Sequence, residues 1–180
     1  MVTANKHYSM LPPRKTPSPT YTQAMSTQLQ DYRYGAINHF SGTQGFDLYG
    51  KGWFGFANPV VAKDCRDKLA TIRGYKFALC FENGSYPGYV TEKMIDCFVA
   101  GVIPVYRGAP DIEDFVPSNL FIDARNAQSF REMENHLRTL VDCGEEVSDM
   151  ISDAQAWLGK APGRNFNNRV FADHILELCR

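Results

Sequence analysis

The chain carries almost no net charge, with a formal value of −1, so no bulk attraction to DNA or to an acidic membrane is expected. It has no long apolar run either. The longest stretch, residues 98–106, is interrupted by Gly101 and Pro104 and is too short to span a bilayer. Asn5, Lys6 and His7 stand where the apolar part of a secretory leader would lie. The five cysteines (Cys65, Cys80, Cys97, Cys143 and Cys179) make no C-x-x-C pair, and their number is odd. They read as reduced, mostly buried thiols rather than as a disulfide frame or a metal site. There is no G-x-x-x-x-G-K-[ST] phosphate loop, no G-x-S-x-G elbow and no histidine pair on one helix face. His7, His39, His136 and His174 are isolated, and each reads as structural or exposed. What is present is 180 residues of which 44% are hydrophobic, enough for one domain with a substantial core.

The order of periodic segments points to an α/β fold. Residues 2–4 read as the end of a short strand, and residues 11–22, with four prolines, as a loop. A helix is expected from Ala24, with Leu29, Tyr32, Arg33, Ile37 and Phe40 at three- and four-residue steps. Residues 46–49 suggest a short strand, and residues 61–72 a short helix. Residues 75–81 suggest a strand buried on both faces. A helix then runs from Glu92 to about Ala100, with Thr91 as N-cap, Met94, Ile95, Phe98 and Val99 on its apolar face and Gly101 as its stop. Residues 102–106 form a strand in which Pro104 marks a start or a bulge. A helical turn at residues 111–115, a short strand at 120–122 and amphipathic helices at 128–141, 146–158 and 165–178 complete the pattern. Strands alternating with helices imply one Rossmann-like parallel sheet across residues 1–180.

The chemistry gathers between Phe81 and Lys93. There a strand gives way to a loop with Gly84, Pro87 and Gly88, and then to a helix start. That order builds many nucleotide sites, because helix N-termini attract phosphate. Lys93 is electrostatically misplaced in the first turn of a helix, whose dipole end is positive. Two readings stand: a solvated helix start, or an ammonium that acts with the helix amides on a diphosphate. Glu92 is either part of that solvated start or an acceptor for two ribose hydroxyls. Asn83 is either a ligand contact or a turn residue, and Tyr89 packs either on a sugar or base or on its own loop. Arg33 lies on the apolar side of its helix. It either snorkels past the core edge or forks onto phosphate oxygens. Glu82 reads as a strand-end residue, since no second carboxylate lies within a few positions to form an acid/base pair.

The run from Tyr75-Lys76-Phe77 through Phe81-Glu82-Asn83 to Tyr89-Val90-Thr91-Glu92-Lys93 resembles the signature of the α-1,3/4-fucosyltransferases, glycosyltransferase family 10. Ile103-Pro104-Val105-Tyr106-Arg107-Gly108-Ala109-Pro110 is similar to the family's I-P-[VI]-x-x-G-[AS]-P segment, and Asp47-Leu48-Tyr49-Gly50-Lys51-Gly52 to its D-[LI]-Y-G-[RK]-G segment. Arg33 falls where the family has an arginine in the preceding helix. The resemblance covers roughly residues 1–160.

The resemblance implies the C-terminal, donor-binding half of a GT-B enzyme that transfers L-fucose from GDP-fucose, with inversion, to a hydroxyl of GlcNAc or Glc in a glycan. On this chain Lys93 and Arg33 would neutralise the diphosphate and stabilise departing GDP. Glu92 would hold the ribose, and Asn83 and Tyr89 would contact phosphate or fucose. No metal or other cofactor is expected: the sequence has no Asp-x-Asp, and cations with helix amides can stabilise the leaving group instead. The family's general base and acceptor site belong to an N-terminal domain, which the resemblance does not find here, so no base is assigned and the chain alone is expected to turn over slowly or not at all. Unpaired cysteines and the lack of a leader favour a cytoplasmic, bacterial-type setting, with the Golgi lumen as the alternative. Two other readings remain open: a non-catalytic GDP-sugar-binding module, and an inverting GT-B transferase with a different nucleotide sugar. The retaining GT-B enzymes place two glutamates eight residues apart, and the residue eight after Glu82 is Val90.

Overall fold

The structure is a computed structural model, and it describes residues 27–50 and 65–160. The elements expected at residues 2–4, 11–22 and 165–178, and the first residues of the 61–72 helix, lie outside them. The described order is α1 (Gln30–Phe40), α2 (Lys68–Ile72), β1 (Phe77–Phe81), α3 (Glu92–Ala100), β2 (Ile103–Arg107), β3 (Ile122–Asp123), α4 (Phe130–Asp142) and α5 (Gly144–Leu158). Two 3-10 turns, Ile112–Asp114 and Ser118–Leu120, link β2 to β3.

The three strands form a parallel sheet in the order β1-β2-β3. Phe77 pairs with Ile103 and Phe81 with Arg107, while Val105 pairs with Ile122. Parallel strands need both faces covered, and two apolar clusters do this. One gathers Cys80, Tyr106 and Val102 with Met94 and Phe98 of α3 and with Ala154 and Trp157 of α5. The other gathers Phe81, Ile103 and Val105 with Ala36 and Phe40 of α1 and with Met133 and Leu140 of α4. Alternate residues of β2 thus serve opposite faces, as the two-residue strand period requires.

Pro104 is neither a strand start nor a bulge. It pairs in register with Ala78 inside β2. The amide of Ile103 points to β1, donating to Lys76 O at 3.0 Å, so position 104 faces the β3 side. Pairing with β3 begins only at Val105, so no ladder bond is lost.

Other expectations shift for definable reasons. Helix α1 begins at Gln30; of its expected start at Ala24, residues 24–26 lie outside the described residues, and residues 27–29 are tied to the loop after β1, with Gln28 bridged to Gly84. Leu29 N donates to Asn83 O at 2.9 Å, and Ser85 N donates to Thr27 O at 2.7 Å. The strand expected at residues 46–49 does not form; Tyr49 takes only an isolated bridge position. Leu48 is buried there, and Asp47 accepts from the Tyr75 hydroxyl. Strand β1 is fully buried only at Cys80 and Phe81, its first three residues being half-buried. The apolar face of α3 includes Cys97 in place of Val99, which is exposed. Gly101 ends α3 in the left-handed region, φ 73°, where a Cβ would be strained. Of the four cysteines among the described residues, Cys80 and Cys97 are buried, Cys65 is half-buried and Cys143 is exposed.

Candidate donor site at the carboxyl end of the first strand

The carboxyl ends of β1 and β2, the start of α3 and the first turn of α1 meet at one edge of the sheet. In open parallel sheets this edge is where ligands bind. Arg33 reaches it from α1. Its side chain is buried, 2% exposed, and Nη1 donates to Asn83 Oδ1 at 2.7 Å and to Gln30 Oε1 at 3.3 Å. Burial pulls the Arg33 guanidinium below its ordinary pKa, against the opposing influence of Tyr34, Glu82 and Tyr89. Arg33 and Asn83, fifty residues apart, are therefore brought together, and Tyr89 and Glu82 lie within electrostatic reach.

Lys93 is partnered inside the protein. Its ammonium donates to Glu82 Oε2 at 2.7 Å and to Thr91 Oγ1 at 2.8 Å. Glu82 is fully buried. Its Oε1 also accepts from the Thr91 amide at 2.9 Å and from the Thr91 hydroxyl at 2.8 Å. This answers the electrostatic puzzle of a lysine at a helix start. The anion facing the positive end of α3 is an internal carboxylate, which both satisfies a terminal amide and neutralises the lysine. Thr91 holds the N-cap position but its hydroxyl caps no helix amide; it serves Glu82 and Lys93 instead. An ammonium has three donors, so one remains for a ligand.

Glu92, the neighbour of Lys93, points outward. Its side chain is 61% exposed and lies 3.3 Å from Lys68 Nζ of α2, which also pairs with Asp96 at 2.6 Å. Burial raises the Glu92 pKa, but the charges of Lys93 and Lys68 outweigh this and leave it below the usual carboxylate value.

The loop itself is fastened at several points. Ser85 Oγ donates to Gly108 O at 2.8 Å, and the Gly88 amide donates to both Asp111 oxygens at 2.9 Å. Tyr89 packs edge-on against Tyr86, with ring centroids 5.9 Å apart. Arg107, at the end of β2, lies 4.1 Å over the Tyr32 ring and donates to Ala124 O at 3.1 Å. Sequence reasoning passed over Asp111 and the internal role of Glu82. The available signals were a carboxylate at a strand end and another just after the Gly108-Ala109-Pro110 turn. Among the described residues, no three His, Cys, Asp or Glu side chains gather where they could hold a metal ion.

The pattern described as glycosyltransferase family 10 (fucosyltransferase), C-term, matches residues 15–148. The chain belongs to glycosyltransferase family 10. Among its relatives, Alpha-(1,3)-fucosyltransferase FucT of Helicobacter pylori is 34% identical over 98 residues, 54% of this chain and 20% of that protein. A putative fucosyltransferase-like protein of Arabidopsis thaliana is 37% identical over 115 residues, 63% of this chain and 22% of that protein. A crystal structure of an alpha1,3-fucosyltransferase with GDP-fucose superposes with a TM-score of 0.58 at 26% identity, covering 67% of this chain and 34% of that one. The same holds for one with GDP, at 25% identity and a TM-score of 0.58. The match thus spans about a fifth of these two curated relatives and a third of the solved family 10 chains. The Rossmann-like sheet described above is the fold these family 10 structures share with it.

Proposed function

We propose that this chain is the donor-binding part of an inverting, metal-independent fucosyltransferase that moves L-fucose from GDP-fucose to a GlcNAc or Glc hydroxyl of a glycan. The observation that carries this reading is the pair of cations at the sheet's carboxyl edge. Arg33 is held on Asn83, and Lys93 is held on Glu82 with a donor to spare. In a family 10 chain whose solved neighbours include complexes with GDP-fucose and GDP, a diphosphate is the anion that suits them.

In this reading Arg33 and Lys93 face the diphosphate and offset the charge that develops as GDP leaves. Positioned cations in a site that excludes water stabilise such charge strongly. Asn83, oriented by Arg33, and Tyr89 contact phosphate or fucose. Exposed Glu92 accepts from the ribose hydroxyls. The residues at this edge bind and stabilise the donor; activation of the acceptor hydroxyl is assigned to the part of the enzyme that holds the acceptor. Calorimetric titration of the chain with GDP-fucose, GDP-mannose and UDP-glucose checks this. Binding of both GDP sugars, with GDP-fucose preferred, is expected. Equal binding of UDP-glucose, or no binding of GDP-fucose, contradicts it.

A further inference from the structure

Glu82 is fully buried, it touches both Lys93 and the start of α3, and the proposed donor contacts do not use it. It stands at the end of β1, where its amide donates to Arg107 O of β2 at 2.8 Å. Its side chain fits against Gly108: a Cβ there would come 2.5 Å from Glu82 Cγ and 2.4 Å from the Tyr106 hydroxyl. The carboxylate is thus clamped from the β2 side and directed at Thr91 and Lys93.

The three side chains close a triangle. The Thr91 hydroxyl has one proton, which goes to Glu82, and it accepts from Lys93. Lys93 then has two of its three donors fixed, to Glu82 and to Thr91, and the direction of the third is set. A flexible lysine stem otherwise loses considerable rotamer freedom when it orders on a ligand. Held this way, it pays that cost on folding rather than on binding.

We infer that Glu82 is a positioning residue for the donor diphosphate, aiming the Lys93 ammonium through the Thr91 hydroxyl. The inference rests on the donor-site reading above. Removing a negative charge from the site should then weaken binding of an anion. Glutamine keeps one acceptor oxygen but places an NH2 where Oε2 accepted from Lys93, so the ammonium is turned away. Simple electrostatics predicts the reverse: one negative charge fewer, and tighter binding.

The test is a double-mutant cycle on GDP affinity by calorimetry, with guanosine as the phosphate-free control and circular dichroism to verify folding. Glu82→Gln should weaken GDP binding about tenfold, the scale of one hydrogen bond to a charged group, and leave guanosine unchanged. In a Lys93→Met background the same substitution should have no further effect on GDP. If Glu82→Gln does not fold, Thr91→Val removes the second acceptor and should give a smaller loss that also vanishes in Lys93→Met. Unchanged or tighter GDP binding, an equal loss for guanosine, or an equal loss in the Lys93→Met background overturns the positioning role. If wild type and Lys93→Met bind GDP alike, the donor-site reading itself fails instead.

Discussion

Two charged clusters stand at the carboxyl edge of the sheet, and they differ in one countable respect. At the β3 end, Arg125 gives Nε and Nη2 to Asp123 at 2.8 Å each, and Nη2 also to Glu113. Its Nη1 donates to Ala109 O at 3.3 Å and to Pro110 O at 2.9 Å. All five guanidinium donors are accounted for. At the β1 end, Lys93 spends two donors of three. A saturated cation is a staple that joins β3 to the turn after β2. An unsaturated one, fixed in place, has a donor left for a ligand. Position at the ligand-binding edge of a parallel sheet is therefore not enough to identify a site residue; uncommitted capacity is the second criterion.

The clusters should also break differently. Lys93→Met removes the ammonium paired with buried Glu82, and it should lower the unfolding free energy by on the order of 3 kcal/mol, the cost of breaking a buried pair. Chemical denaturation checks this, and the double variant Glu82→Gln/Lys93→Met should recover much of the loss. A loss below that of Arg125→Ala would erase the distinction between the two clusters.

Gly108→Ala sharpens the same point from the backbone side. The added methyl overlaps Glu82 and Tyr106, and it should cost about 2 kcal/mol of stability, as overpacking typically does. GDP affinity should fall with it, because the Glu82 carboxylate must move. A fall in stability with unchanged affinity would separate the clamp from the site.

Arg125→Ala should cost less, about 1 kcal/mol at neutral pH, since its partners are partly exposed and screened. Its effect is tied to pH. Burial raises the Asp123 carboxyl, but hydrogen bonding and the charge of Arg125 hold it below its ordinary value, and Glu113 is lowered by the same guanidinium. Carboxyls with depressed folded-state pKa values contribute stability above their unfolded values and lose it as pH falls through the folded ones. The melting difference between wild type and Arg125→Ala should therefore be full at pH 7 and shrink below about pH 4. GDP affinity should not change. A difference that grows in acid would contradict this assignment.

The smallest expected effect is none at all. EDTA should leave GDP binding unaltered if cations rather than a metal receive the diphosphate. Affinity that disappears with EDTA would sink the metal-independent reading.

Much of this edge is legible in the residues alone. The limits of α3 are readable from Thr91 and Gly101, although the Thr91 hydroxyl turns to Glu82 and Lys93 rather than capping the helix, and the glycine loop marks the turn that precedes it. The α1 register correctly put Arg33 on the inward side. What the sequence hides is long-range pairing. Glu82 and Lys93 are eleven residues apart, and no local pattern says that the carboxylate is buried, because the room for it is left by Gly108, just past the end of β2. The start of α1 at Gln30 is hidden for the same reason: residues 27–29 are tied by hydrogen bonds to a loop more than fifty positions away. Residues 46–49 look like a strand by composition, yet they find no ladder partner among the described residues.

The central claim is that the open donor of Lys93 receives a nucleoside diphosphate. The most direct measurement is calorimetric titration of GDP and of guanosine into wild type and Lys93→Met, side by side. The account predicts GDP binding weakened by about 1.5–3 kcal/mol in Lys93→Met, the value of a charge-assisted hydrogen bond, with guanosine affinity the same in both. Equal GDP affinity in the two proteins would contradict it.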